Sequence, residues 1–352
     1  MKKAFSFFLL FFAGDLIFAC TTFCINKNGQ IFFGRNYDWI TGAGIVNTNQ
    51  RGLFKTSMKA SEDGTISWVS KFGSITFNQY GKEFPTGGMN EKGLVVELMW
   101  LDGTKYPEPD SRPSIGVLQW IQYQMDNASK TAEVIASDAL IRITTSATPL
   151  HYLVADADGN IATIEFLNGK MTIHKNEDLP FPVLTNDTYA SCAQAAKTQL
   201  SKQNEIFLQN NSLERFVKAC SMINKIIQPG TSLPLTDYAF SILDNVAQGN
   251  FTKWSIVYDI TGKKIHFKTA DHKDIKIIRF SAFDLACDEQ SKMFNMKSES
   301  SGDISDQFTA SNKIIKQQVM DQVILESSSR VTITRQQADA LLNYEEGVSC
   351  KQ

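Results

Sequence analysis

The sequence predicts an α+β protein in which two antiparallel sheets are stacked between two helical layers. Three observations lead there. Hairpin patterns recur in clusters, helical spacing is confined to blocks between those clusters, and no βαβ alternation or Gly-rich phosphate loop breaks the order. With 352 residues, 43% of them hydrophobic and 24 of them Phe, the chain can bury a large core.

Taken in order, TTFCIN and IFFGRN alternate around the turn KNGQ, TISWV and SITFN flank KFG, and FPTGGM and LVVELMW flank NEKG, where Asn90 reads as a turn residue. A helical block follows in SIGVLQWIQYQMDNA and TAEVIASDALI. HYLVADADGNIATIEF and KMTIHK then form a meander broken at DADGN and LNG. The second helical block is YASCAQAAKTQL, SLERFVKACSMINKII and LTDYAFSILDNVAQ, with Ser or Thr placed to cap several of these helices. WSIVYDITGKKIHFKT and KIIRFSAF close the pattern. Residues 297–329 are rich in Ser, Asp and Gln and read as a polar peripheral extension of one domain spanning 20–352.

Ahead of these elements stand a basic Met1-Lys2-Lys3, an apolar run and the segment LIFA ending in Ala19, which is the layout of an export signal cleaved before Cys20. The run is too short to span the roughly 30 Å of a bilayer core, so stable membrane insertion is not expected. The net charge of -2 offers no basic footprint for nucleic acid. Residues 1–19 are therefore read as a signal peptide, and the mature chain as exported, to the periplasm or beyond.

Six cysteines are scattered without CxxC spacing, which argues against a zinc site or a dense disulfide framework. In an exported chain Cys287 and Cys350, both late, are a candidate pair. Cys20 stands apart. Cleavage in front of it would leave a thiol and a free α-amine on one residue, and an amine with a reference pKa near 8 can accept the thiol proton without a histidine. Only four histidines exist, and His151, His174 and His266 lie in or at strand patterns. Arg35 and Asp38 come back on the hairpin's second strand, close to Cys20, where an Asp can hold the amine and an Arg the thiolate. The same two residues also fit a surface salt bridge.

In the order CTTF, FFGRNYDW, GMNEKGLVVELMW, VLTN, SLERFVKA and WSIVYDITGKKIHF, the chain resembles the choloylglycine hydrolases, from Cys20 to about Phe280. That family includes bile salt hydrolases and penicillin V acylases, and it belongs to the N-terminal nucleophile hydrolases. The resemblance implies a four-layer αββα sandwich and hydrolysis of a linear amide in a small N-acylated molecule, without metal or organic cofactor. It implies that Cys20 is the nucleophile and that Arg35, Asp38 and Arg215 are active-site residues. Asn186 and the backbone N–H of Trp100 would serve the oxyanion. Trp39 and Trp100 would offer flat apolar area to an acyl group. Trp100 departs from the Asn usual in bile salt hydrolases, which favours a penicillin V acylase-like activity, with N-acyl homoserine lactones as a further substrate class, over conjugated bile salts. The 28 residues between Asn186 and Arg215 are fewer than in Gram-positive bile salt hydrolases, where an inserted hairpin helps build a tetramer, so a homo-oligomer is expected with contacts of its own.

Other readings fit the same residues. Asn186 before Asp-Thr suits an Asx turn, Arg215 suits an ion pair on a helix face, and either Trp suits core packing. IFAC also resembles a lipobox; a lipidated Cys20 would lose its free amine and make the chain a tethered binding module. A cysteine hydrolase using Cys24 or Cys20 with His151 or His174 is the remaining enzymatic alternative.

Overall fold

The computed structural model describes residues 20–58, 64–145, 147–201, 211–230, 233–329 and 331–351, so the expected signal peptide, residues 1–19, lies outside the described residues. The first hairpin sets the pattern. Strand Thr21–Lys27 returns as Gln30–Asp38 through Asn28 and Gly29, whose φ values of 53° and 78° are the left-handed pair that a two-residue turn between twisted strands requires. Thr21 lies opposite Asn36 and Thr22 opposite Arg35, which brings Cys20 beside the end of the returning strand.

This hairpin sits inside a seven-stranded sheet, ordered Val183–Leu184, Thr21–Lys27, Gln30–Asp38, Thr252–Asp259, Lys264–Thr269, Lys276–Arg279 and Gly302–Asp303. Only the last pair is parallel. A nine-stranded sheet runs Lys170–Lys175, Ile161–Leu167, Leu150–Ala155, Val95–Trp100, Pro85–Asn90, Ser74–Asn78, Ile45–Asn49, Lys292–Asn295 and Thr309–Ala310. All of its pairs are antiparallel.

The sheets stack because strand alternation puts apolar side chains on a shared face. Phe77 of the larger sheet meets Trp254, Tyr258 and Phe267 of the smaller one, with ring centroids 6.3, 6.3 and 5.5 Å away. Each fully buried side chain of this size contributes about 1.5–3 kcal/mol of transfer free energy. The same core continues to helices Tyr189–Leu200, Asn211–Ile226 and Leu235–Asn245 through Ala196, Phe216 and Leu243. On the far side, Val96, Leu98, Tyr152 and Val154 form a second core with Trp120, Ile121 and Val134 from helices Val117–Asn127 and Thr131–Ala136. The result is the αββα sandwich.

One expected hairpin does not form. Strand Ser67–Val69 pairs with Leu53–Thr56, whereas Ser74–Asn78 lies between Ile45–Asn49 and Pro85–Asn90, so TISWV and SITFN belong to different sheets. The linker's amides are drawn elsewhere: Lys71 and Phe72 donate to the Asp126 carbonyl, and Gly73 donates to the Glu91 carboxylate.

Residues 297–329 include helix Lys313–Ser327, whose Val319 and Val323 pack on Ile45 and Met293. Helix Arg335–Asn343 and strand Ser349–Cys350 follow, the strand pairing with Leu53–Thr56. Cys350 is disulfide-bonded to Cys287, with Cα atoms 5.5 Å apart. Among the described residues no helix is long and apolar enough to cross a membrane.

Candidate active site

Cys20 is buried, and its Sγ donates to the Asp38 backbone carbonyl at 3.7 Å. Burial and the neighbouring Asp38 push its thiol up to about 11, while Arg35 and Arg215 pull the other way. At neutral pH such a sulfur is protonated and needs a base before it can attack. Cys24 is buried within the strand that follows Cys20 and is pushed up to about 12 by burial and Asp156.

Asp38 ends its strand beside Thr252 of the adjacent strand, whose hydroxyl donates to Oδ1. Its Oδ2 is buried with no hydrogen-bond partner among the described residues. Burial lifts this carboxyl to about 7, against Thr252, Arg215 and Arg35, which favour the ionised form. An unpaired buried carboxylate oxygen is costly and calls for a cation or donor.

Arg215 is no solvated helix face. It points inward from helix Asn211–Ile226, buried, and uses its fork at both ends. Nη1 donates to the Cys20 carbonyl and the Thr21 hydroxyl, each at 2.6 Å, while Nη2 donates to Asn186 Oδ1 at 3.0 Å. Nε is taken by Asn211 at 2.8 Å. One guanidinium thus ties the Cys20 backbone to Asn186, and it fixes which way the Asn186 amide faces.

Asn186 in turn donates from Nδ2 to the Trp100 carbonyl at 2.9 Å, and its own amide donates to Ser212 Oγ. Leu101 donates to the carbonyl of Pro149, just ahead of the neighbouring strand Leu150–Ala155, at 3.1 Å. Because N–H and C=O alternate from edge to edge along an antiparallel strand, the Trp100 N–H and C=O share the edge opposite Leu101's bond, where Asn186 holds the C=O. The Trp100 and Trp39 rings lie 6.5 Å apart, and Trp100 Nε1 donates to Asp102.

Arg35 differs from expectation in its partners. Its guanidinium is fully buried and forms an ion pair with Glu97, donates to the Thr86 and Leu98 carbonyls at 3.1 and 3.3 Å, and lies 4.6 Å from the Tyr37 ring centroid. Its charge favours the Cys20 thiolate, but these hydrogen bonds run to the other sheet. Glu97, also hydrogen-bonded by the Tyr258 hydroxyl, was missed. A single acidic residue inside the apolar run LVVELMW is the signal for it, since a buried carboxylate needs a cation.

The histidines have structural partners. His151 is held between the Thr185 carbonyl at 2.7 Å and Glu165 at 3.3 Å, and His174 lies on Thr163. Since Thr185 precedes Asn186, His151 supports the segment that carries the amide. Cys20, Asp38, Trp39 and Trp100 line one cavity of about 210 Å³, whose remaining walls, Leu98, Val117, Leu118 and Leu150 among them, are mostly apolar. Val331, Ile333 and Leu341 complete it from the C-terminal segment, which the sequence reading did not connect to the site.

The structure resembles that of penicillin V acylase from Agrobacterium tumefaciens, with a TM-score of 0.71 and 25% identity over 83% of this chain and 98% of that one. A variant of the conjugated bile acid hydrolase from Clostridium perfringens gives a TM-score of 0.65 at 18% identity, over 80% of this chain and 98% of its own. The sandwich is thus that of the N-terminal nucleophile hydrolases. In sequence the chain is 28% identical over 222 residues to a penicillin V acylase of Pectobacterium atrosepticum, a match spanning 57% of either chain. Residues 20–238 match the model of the linear amide C–N hydrolases, choloylglycine hydrolase family, and the chain belongs to that family.

Proposed function

We propose that this chain, once residues 1–19 are removed, is an exported acylase that cleaves the amide of a small N-acylated molecule through Cys20. The observation that carries the reading is the buried, unpartnered Oδ2 of Asp38 beside a buried thiol. A freed α-amine at Cys20 gives that carboxylate its cation and gives the thiol its base.

The amine takes the thiol proton, and the sulfur attacks the amide carbon. Negative charge on the carbonyl oxygen is met by the Trp100 N–H and the second N–H of Asn186, whose orientation Arg215 fixes through Oδ1. The resulting ammonium passes its proton to the departing amine as the C–N bond breaks, leaving a thioester. Water then attacks with the amine again as base, releasing the acid and restoring the thiol. Arg35 and Asp38 set the local charge, and no step calls on a cofactor.

Trp39, Trp100 and the apolar cavity suit an aromatic or fatty acyl group, as in the penicillin V acylases this chain is similar to. The Cys287–Cys350 bond fits an oxidising compartment and so supports export. The family resemblance supports a homo-oligomer, a dimer or tetramer, which light scattering checks. To test the activity, mature protein is assayed on penicillin V, a long-chain acyl homoserine lactone and glycocholate, with Cys20→Ser as control. The first two are hydrolysed and the control is inactive; failure on all three overturns the reading. Mass spectrometry of the mature N-terminus must find a bare Cys20, and a diacylglyceryl group there would replace the acylase with a tethered binding protein.

A further inference from the structure

The cavity at Cys20 has a neighbour. A second cavity, of about 490 Å³, shares Val117, Leu118, Ile333 and Leu341 with the first and extends along Gln336, Gln337 and Ala340. Two of the four shared residues come from beyond the part of the chain that matches the family model, which ends at residue 238. We propose that residues 331–341 form an acyl-length partition, with Ile333 and Leu341 standing between an inner chamber at the sulfur and an outer chamber for the distal part of a long acyl chain. This rests on the acylase reading above. A cavity of roughly 150 Å³ holds one benzene ring, so the inner chamber alone suits an acyl group built on one ring, whereas a linear chain of a dozen carbons must pass the partition.

The partition is held from several sides. Gly81, at φ +108°, lets the Leu341 carbonyl approach so closely that a Cβ there would lie 2.9 Å from it. Ala338 and Leu342 pack on Met320 of the preceding helix. Tyr344 donates to the Thr56 carbonyl at 2.6 Å, its ring lies 5.3 Å from Phe84, and the chain then enters the strand that ends in the Cys287–Cys350 bond. Leu341 and Ile333 themselves stay half-buried, as apolar side chains facing a cavity on each side do.

The test is the ratio of kcat/KM for an N-dodecanoyl amide to that for an N-phenoxyacetyl amide of the same amine. Leu341→Ala raises the ratio more than threefold, mainly by lowering KM for the dodecanoyl substrate, and Leu341→Trp lowers it more than threefold. Gly81→Ala, whose added Cβ meets the Leu341 carbonyl at 2.9 Å and Phe84 of the outer wall at 3.4 Å while leaving both partition side chains intact, also moves it more than threefold. Ratios within threefold of wild type in all three variants, each folded by circular dichroism, overturn the partition. Binding separates this failure from that of the acylase reading. In Cys20→Ser protein, dodecanoate and phenoxyacetate are titrated against the fluorescence of Trp39 and Trp100. Leu341→Ala must tighten dodecanoate selectively even if no amide is ever cleaved, and unchanged affinities count against the partition.

Discussion

The Arg35–Glu97 pair shows what a single residue contributes to this site. Both side chains are fully buried and come from different sheets, so removing one charge strands the other. Breaking such a pair costs about 3–5 kcal/mol, and Glu97→Gln should lose that much in urea denaturation. On the proposed mechanism Asn186→Ala removes one donor to the oxyanion, and it should then lower kcat by about 10²–10³, read in steady-state kinetics. Asp38 makes a pH prediction. Its folded pKa of about 7 exceeds the unfolded carboxylate value, so between about pH 4 and 7 the folded state keeps a proton that the unfolded state has lost. Stability of the unprocessed chain therefore falls as pH rises through that window and levels off above it. Asp38→Asn makes the profile shallower, leaving the share of Glu97, which burial also lifts to about 7. Removal of residues 1–19 does the same, because an ammonium at Cys20 favours the ionised carboxylate. An unchanged slope in both forms, measured by urea titration at several pH values, would refute this account of Asp38.

Among the elements, those with strong local signals were legible. KNGQ places Asn and Gly where positive φ is needed, and the hairpin carrying Cys20, Arg35 and Asp38 followed from it. The helical blocks were legible from apolar spacing. KFG was misleading because its pairing is decided by distant groups, the Asp126 carbonyl and the Glu91 carboxylate, which no local pattern reveals. Helix Lys313–Ser327 was obscured by Ile314 and Leu325, large apolar residues left exposed, which blur its buried stripe. Asn90 is a turn residue and something more: its side chain accepts from the Lys92 and Leu94 amides and donates to the Met125 and Ala128 carbonyls at the end of helix Val117–Asn127. Asn90→Ala leaves those buried groups without partners and should cost about 1–3 kcal/mol, seen as a lower Tm.

For the whole molecule, the αββα stacking could be anticipated from clustered hairpins and family motifs, but the cavity could not. Its walls combine the first hairpin, the strand Val95–Trp100, a helix of the outer layer and a C-terminal segment some 300 residues away in sequence. Side chains so dispersed meet only through sheet order and crossing segments, neither of which is encoded at short range. The Cys287–Cys350 bond closes a loop of 63 residues and should stabilise the chain by about 4 kcal/mol through the unfolded state. Denaturation with and without reductant measures that difference, and Cys350→Ala should reproduce the reduced value.

The hold of Arg215 on the Cys20 carbonyl has a further meaning if the chain matures as proposed. The backbone at residue 20 is already seated in its final place while residues 1–19 are attached, and the thiol, at about 11, is ionised in only about one molecule in ten thousand at pH 7. The unprocessed chain is then a latent form, assembled but chemically quiet. Once the exported chain has folded, such a thiol would stay little exposed to oxidants until a single peptide-bond cleavage armed it without any rearrangement of the sheet.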